Sequence, residues 1–148
     1  MAVETPAAFL QIGEAAERTG LTQRTLRFYE EKGLLQSPTR MEGGFRLYSE
    51  EDIERIEQIK QLKQLLGFSL ADIKEMLEAE DVRSSVRLGW RKDAGANEKR
   101  RQLQRAREAT LHQLELIDQK ARSLGQMRAT LAERLAKYDT WLAGLDDA

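Results

Sequence analysis

The sequence predicts a mainly α fold: a helix-turn-helix pair with a small β-hairpin wing, followed by one long helix carrying a coiled-coil seam. Three observations lead there. Residues 10–79 are cut into short segments by Gly20, Gly33, Pro38, Gly43-Gly44 and Gly67, whereas residues 98–142 hold a single glycine, Gly125, and no proline. An apolar heptad runs through that second stretch. Hydrophobic residues make up 41 % and charged residues 33 % of the 148, a balance of long solvated helices rather than of disorder.

The first element is a short helix over "IGEAAERT", with Ile12, Ala15, Ala16 and Thr19 on one face and Gly20 as its stop. A second helix begins behind Thr22, a hydroxyl N-cap, and turns Leu26 and Tyr29 inward. The small Ala16 lets the two helices cross closely, so Ile12, Ala15, Ala16, Leu21, Leu26 and Tyr29 form the buried side of a helix-turn-helix pair. Gln23, Arg24, Arg27 and Phe28 then lie outward or on the flanks. Arginine at the exposed start of such a helix forks onto guanine O6/N7 or onto phosphates, and the hydroxyls of Thr22, Thr25 and Tyr29 reach phosphate oxygens. Taken alone, the pattern is equally that of a solvated face over a core tyrosine.

After Gly33, Pro38 forbids helix, Gly43-Gly44 signals a turn, and Phe45-Arg46-Leu47-Tyr48 alternates as a strand. Leu35 to Arg40 pairs with it as a hairpin, placing Arg40, Arg46 and Tyr48 on or near one edge. A helix in the major groove with a wing along the backbone is a DNA-docking arrangement. Ser49 caps the next helix in a capping-box-like pair with Asp52. Ile53, Ile56, Ile59, Leu62 and Leu66 supply its apolar stripe, and Lys60 and Lys63 are candidate phosphate contacts. Gly67 ends that helix, Ser69 caps another, and Leu70, Ile73, Met76 and Leu77 face inward. These two helices read as scaffold.

The ordered motifs "IGEAAERTGLTQRTLRFYEEKGLL", "RMEGGFRLYSEEDIERI" and "LLGFSLADIKEML", over about residues 11–78, resemble the MerR family of bacterial transcription regulators. The resemblance implies a winged helix-turn-helix DNA-binding domain over residues 10–79, a homodimer joined by a long antiparallel helix pair, RNA polymerase as a partner, and promoter control by distortion of the spacer DNA. Carried over position by position, Thr22, Arg24, Arg27, Phe28 and Tyr29 match the family's recognition helix. Arg46 and Tyr48 match its wing R-x-Y, and Arg40 matches a basic position before the wing turn. Arg18, near the end of the first helix, is a candidate backbone contact. Phe28 stands where many members carry Tyr, which removes one hydroxyl.

Residues 80–97 mix Gly, Ser and charge and read as a basic connector, with a short helix around Val82 to Trp90. From Val82 to Arg107 nine Lys/Arg stand against Asp93 and Glu98, a net +7 within a chain of net charge −1. Flanking DNA would attract this stretch; a solvated face is the plainer reading. The long helix, over residues 98–145, carries the seam: Leu103, Thr110, Ile117, Leu124, Leu131, Tyr138 and Leu145, interleaved with Leu114, Ala121, Arg128, Leu135 and Leu142. About 45 residues at ~1.5 Å each give a rod of ~68 Å, more than one small domain needs. A second copy in an antiparallel coiled coil is the expected consumer of the seam, and packing of part of it against Leu70 to Leu77 is the alternative. Gly125 is expected to mark a bend.

There are no cysteines and one histidine, His112. Disulfides, thiolate metal sites, iron–sulfur clusters and cysteine nucleophiles are thereby excluded, and one imidazole makes no His-based metal site. No convergent cluster of ionisable groups points to an enzyme, and no catalytic residue, cofactor or metal is assigned. Metal-sensing relatives use cysteines near the end of the long helix, so thiolate sensing of copper, mercury or zinc does not carry over. The likeness to the copper-sensor branch, in "RFYEEKGL" and "EKRRQL", stops at the effector site. The chain is expected to end too soon for a separate ligand-binding domain. A small-molecule effector would therefore bind the connector, the helix ends or the dimer junction, where Trp90, Tyr138 and Trp141 are candidate pocket residues. No run is long and apolar enough to span a bilayer or serve as a signal peptide, so a cytoplasmic protein without a membrane partner is expected. The functional expectation is a dimeric, sequence-specific regulator that binds a palindromic promoter site in double-stranded DNA and distorts its spacer. The alternative is a coiled-coil adaptor whose winged-helix fold binds protein.

Overall fold

The computed structural model describes residues 9–35, 39–40 and 46–147. They belong to two compact units, Met1–Glu78 and Ala79–Ala148.

In the first unit, the two-residue strand β1 (Leu10–Gln11) leads directly into α1 (Ile12–Thr19). α1 stops because Gly20 takes φ +73°, a left-handed conformation that costs other residues about 1–2 kcal/mol, and its N–H returns to the Ala16 carbonyl. α2 (Gln23–Glu31) starts behind Thr22, whose hydroxyl accepts from the Thr25 N–H at 3.1 Å. Ala15, Ala16, Thr19, Leu26 and Tyr29 are buried between these helices and the rest of the unit, while Ile12 and Leu21, expected on the same side, are half-buried. Thr19 is satisfied locally, its hydroxyl donating to the Ala15 carbonyl at 2.8 Å.

The wing is antiparallel, with β2 (Thr39–Arg40) against β3 (Arg46–Tyr48); Thr39 faces Leu47 and Arg40 faces Arg46. β1 adds to the other edge of β3, Leu10 opposite Tyr48, so the sheet order is β1-β3-β2. That third strand has no sequence signal, because two residues are too few to show a period of 2. Pro38, Gly43-Gly44 and Phe45 lie outside the described residues.

α3 (Glu50–Lys60) has the predicted capping box: the Asp52 N–H donates to Ser49 Oγ at 3.1 Å and the Ser49 N–H to Asp52 Oδ2 at 2.8 Å. Ile53, Ile56 and Ile59 form its buried stripe. Beyond it Leu62 is half-buried, and the expectation for Leu66 is corrected, since that side chain is exposed. Gln61–Leu65 winds as a π-helical turn, whose extra residue per turn rotates the following side chains and leaves Leu65 and Leu66 exposed. Gly67 (φ +65°) closes this turn, Phe68 is buried, and Ser69 accepts from the Asp72 N–H at 3.1 Å as the cap of α4 (Leu70–Leu88). Three polar ties join α3 to the helix-turn-helix. The Arg18 guanidinium forks onto Glu50 at 2.5 and 2.8 Å, Arg55 Nε donates to the Leu34 carbonyl at 2.9 Å, and Lys60 Nζ donates to the Thr19 carbonyl at 2.5 Å.

In the second unit, α4 continues to Leu88, so the first half of the expected connector is helix; Ser84-Ser85 does not interrupt it, and Gly89 follows its last residue. α5 (Ala96–Asp146) is 51 residues long and passes through Gly125 unbroken. Ala79, Val86, Ala109 and Leu116 are buried, and Gln113 Nε2 donates to Glu80 Oε2 at 3.4 Å between the two helices. From Ala121 to Asp147 every residue is exposed.

Candidate nucleic-acid interface

With Leu26 and Tyr29 inward, helical geometry turns Gln23, Arg24 and Arg27 to solvent, and all three are exposed. Arg27 Nη2 reaches Gln23 Oε1 only at 3.5 Å, too long to restrain it strongly. The Thr22 and Thr25 hydroxyls share a hydrogen bond of 2.9 Å, which fixes the first turn. Phe28 is half-buried, its ring centroid 6.2 Å from that of Tyr29, and the Lys32 ammonium sits over the Phe28 ring, 5.6 Å from its centroid. Sequence reasoning misses Lys32; its i, i+4 spacing from Phe28 is the signal that identifies it.

Several expected contacts are placed elsewhere. Tyr29 and Tyr48 are 2 % and 1 % exposed and serve as core, and the Tyr48 hydroxyl is sealed from solvent. Burial pushes both phenols above their ordinary value. At Tyr48 the Glu30 carboxylate adds to the shift, while Arg46 and Arg27 oppose it. Arg46 turns to α2, its Nη1 standing 2.8 Å from Glu30 Oε2. Glu30 is the second residue that sequence reasoning misses, because no local spacing links it to a wing strand. Lys60 holds the Thr19 carbonyl, and Arg18 is engaged by Glu50, whose carboxyl its hydrogen bonds hold below the usual carboxylate range. Lys63 is exposed in the π-helical turn. Arg40 is placed by its backbone in β2, and its side chain lies outside the described residues.

Residues 10–80 match the MerR HTH family of regulatory proteins. The HTH-type transcriptional regulator YfmP of Bacillus subtilis (strain 168) is 38 % identical over 138 residues, which span 93 % of this chain and 99 % of YfmP. The chain belongs to the MerR family of transcriptional regulators. The HTH-type transcriptional regulator ZntR of Escherichia coli (strain K12) is 42 % identical over 67 residues, 45 % of this chain and 47 % of ZntR, so that likeness covers about half of each. A chain solved from Listeria monocytogenes and described as a MerR family transcriptional regulator shares the fold, with a TM-score of 0.50 at 22 % identity over 93 % of this chain and 92 % of that one.

In this MerR-family chain, the expected seam residues Leu103, Thr110, Leu114, Ile117, Ala121, Leu124, Leu131, Leu135, Tyr138 and Leu142 are all exposed. The face of α5 that the chain covers is a different one: Gln102, Ala106, Ala109, Gln113, Leu116 and Lys120 are buried or half-buried, at alternating spacings of four and three. Trp90 lines a pocket of about 120 Å³ with Gly89, Arg91, Ala94, Glu98, Lys99 and Gln102. Tyr138 and Trp141 pack on each other, ring centroids 5.7 Å apart, about 60 Å further along α5 by helical rise. One chain therefore does not gather these three aromatics into a single pocket. In the basic stretch, Arg83, Arg91 and Arg101 pair with Glu80, Asp93 and Glu98, which makes it a solvated, partly neutralised face. Among the described residues no group of three or more His, Cys, Asp or Glu is placed to hold a metal ion, and no helix is long and apolar enough to cross a membrane.

Proposed function

We propose that this regulator binds double-stranded promoter DNA as a homodimer, with α2 of each copy in the major groove at one half of a palindromic site, and that it controls transcription by distorting the spacer between the halves. The observation that carries this reading is the exposed start of α2. Gln23, Arg24 and Arg27 project from a helix whose opposite face is fixed by Leu26 and Tyr29, and fork recognition of a base edge or a phosphate requires such fixed placement. Thr22, Thr25 and Phe28 flank these cations, with Arg40 and Lys63 as backbone contacts. Arg18 remains available because its ion pair with Glu50 is exposed and screened by solvent, so a phosphate competes with Glu50 for it. Tyr29, Tyr48 and Lys60 act by holding the frame.

The proposed division is a DNA-binding domain over residues 10–79, a basic connector over 80–97 and a dimerisation helix over 98–145. The open seam of α5 supports an antiparallel pairing with a second copy. YfmP and ZntR are both named as transcriptional regulators, which supports RNA polymerase as the further partner and a cytoplasmic, non-enzymatic role. The test is a footprint of the purified chain on the DNA upstream of its own gene at two salt concentrations. Protection of an inverted repeat is expected, weakening with salt by a slope of about 0.9 per phosphate contact, and disappearing with Arg27→Ala. No protection there, and no binding to random duplex at either salt, would overturn the DNA reading and leave the α2 face as a protein-binding surface.

A further inference from the structure

The arginine of the wing is not directed at solvent. Arg46 Nη1 and Glu30 Oε2 are 2.8 Å apart, and both atoms are sealed from water, in side chains 24 % and 11 % exposed. The Tyr48 hydroxyl, two residues along the same strand, is sealed as well. Its ionisation is opposed by Glu30 and favoured by Arg46, so the three groups form one electrostatic cluster between α2 and β3. Removing one partner of such an enclosed pair strands the other charge in a place where water cannot reach it, which makes the contact costly to dismantle.

The position within the sheet gives the pair its purpose. β1 pairs with Leu47 and Tyr48 but not with Arg46, whose sheet partner is Arg40 on β2. Arg46 is therefore where the hairpin leaves the part of β3 that β1 holds. An ion pair at this residue ties β3 to α2 just where the hold of β1 ends.

We propose that the Glu30–Arg46 pair, packed on Tyr48, is a latch that sets the wing against the recognition helix, and that Arg46 is a positioning residue for DNA binding rather than a phosphate contact. This inference rests on the DNA-binding reading above, but part of its test does not. Glu30→Gln removes the charge at constant size, Arg46→Met keeps the aliphatic length, and Arg46→Lys keeps the charge without the fork. Each is made in the full chain, with the Glu30→Gln/Arg46→Met double variant. Hydrogen–deuterium exchange is read at the amides of residues 46–48, and affinity and salt slope are read on the protected duplex.

Loss of a charge-assisted contact is expected to speed exchange on the order of tenfold in each single variant, with little further change in the double. Duplex affinity should fall in the same non-additive way. The salt slope should stay at the wild-type value in all of them, since only the loss of a phosphate contact costs about one unit. A slope reduced by about one unit in Arg46→Met, together with tighter binding by Glu30→Gln, would make Arg46 a phosphate contact and overturn the latch. Unchanged exchange in Glu30→Gln overturns it as well. If Arg46→Met does not fold, Glu30→Gln and Arg46→Lys decide by the same readings. If the wild-type chain binds no duplex, the DNA reading fails and exchange alone judges the latch: non-additive speeding keeps it, independent effects remove it.

Discussion

Leu131 and Leu135 stand one helical turn apart on the seam of α5 and are 51 % and 61 % exposed in a single chain. Fully burying a leucine contributes about 1.5–3 kcal/mol, so covering the exposed half of each contributes about 1 kcal/mol per side chain. A Leu131→Ala/Leu135→Ala variant removes most of that from four side chains of a dimer, about 4 kcal/mol or roughly a thousandfold in Kd. Alanine is the better helix former, so intrinsic propensity works against any loss of helix. Helicity should nonetheless fall on dissociation, because the chain covers nothing on α5 beyond Lys120 and unsupported helices are marginal in water. Sedimentation equilibrium across a dilution series, with far-ultraviolet circular dichroism on the same samples, reads both effects. The wild type should be dimeric at concentrations where the variant is monomeric and less helical, with helix returning as the variant is concentrated. A wild-type monomer with full helix content, or a variant that dimerises over the same range as the wild type, would refute the assignment of this seam.

Ser49→Ala removes the acceptor for the Asp52 N–H and opens the capping box; a cost of about 1 kcal/mol is expected, a fall of about 2–4 °C in Tm for a chain of this size. Ile56→Ala, at a position with no exposure, should cost about 2–5 kcal/mol in urea unfolding, and a cost below about 1 would mean that the stripe of α3 is not packed as described. Burial raises Tyr29 and Tyr48 above the ordinary 10.0, so the unfolded chain releases these protons first as the pH rises. Their contribution is complete below about pH 10 and is lost as the pH passes through the folded values. Tyrosinate absorbance from these two should therefore appear together with loss of helix on alkaline titration, and its appearance before any loss would contradict their burial.

The elements that the sequence discloses are those whose cause is local. Thr22, Ser49 and Ser69 each accept from an N–H three residues on, and Gly20 and Gly67 adopt the left-handed conformation where the apolar pattern breaks. Each is visible in a window of five residues. The discrepancies arise where a window does not suffice. Leu62 and Leu66 continue the stripe of α3 on paper, and through the π-helical turn at Gln61–Leu65 Leu62 is left half-buried and Leu66 exposed. The run Glu80 to Leu88 reads as a connector with a short helix of its own because charge and serine dominate it, yet it is the end of α4, with Ala79 and Val86 as its buried side. At the candidate interface, Gln23, Arg24 and Arg27 follow from helical period alone, whereas the burial of Tyr29 and Tyr48 depends on which end of an amphipathic ring the tertiary structure covers. The Glu30–Arg46 pair joins elements with no periodic relation, so residue types could nominate Arg46 but not its partner.

α5 itself shows why a heptad in sequence is an ambiguous signal. Its first half carries two interleaved patterns of fours and threes, one through Gln102, Ala106, Ala109, Gln113, Leu116 and Lys120, the other through Leu103, Thr110, Leu114, Ile117 and Ala121. Gln102 and Leu103, at the head of the two patterns, are adjacent in sequence and so about 100° apart around the helix. The chain covers only the first pattern, and that cover stops at Lys120. The second continues through Leu124, Leu131, Leu135, Tyr138 and Leu142 with no side of the helix covered. A solitary chain gains nothing from extending an apolar seam so far past its last buried residue, since ordering each residue costs about 1–2 kcal/mol of backbone entropy that burial must offset. The extension is therefore the feature of α5 that most favours the proposed second copy along this helix.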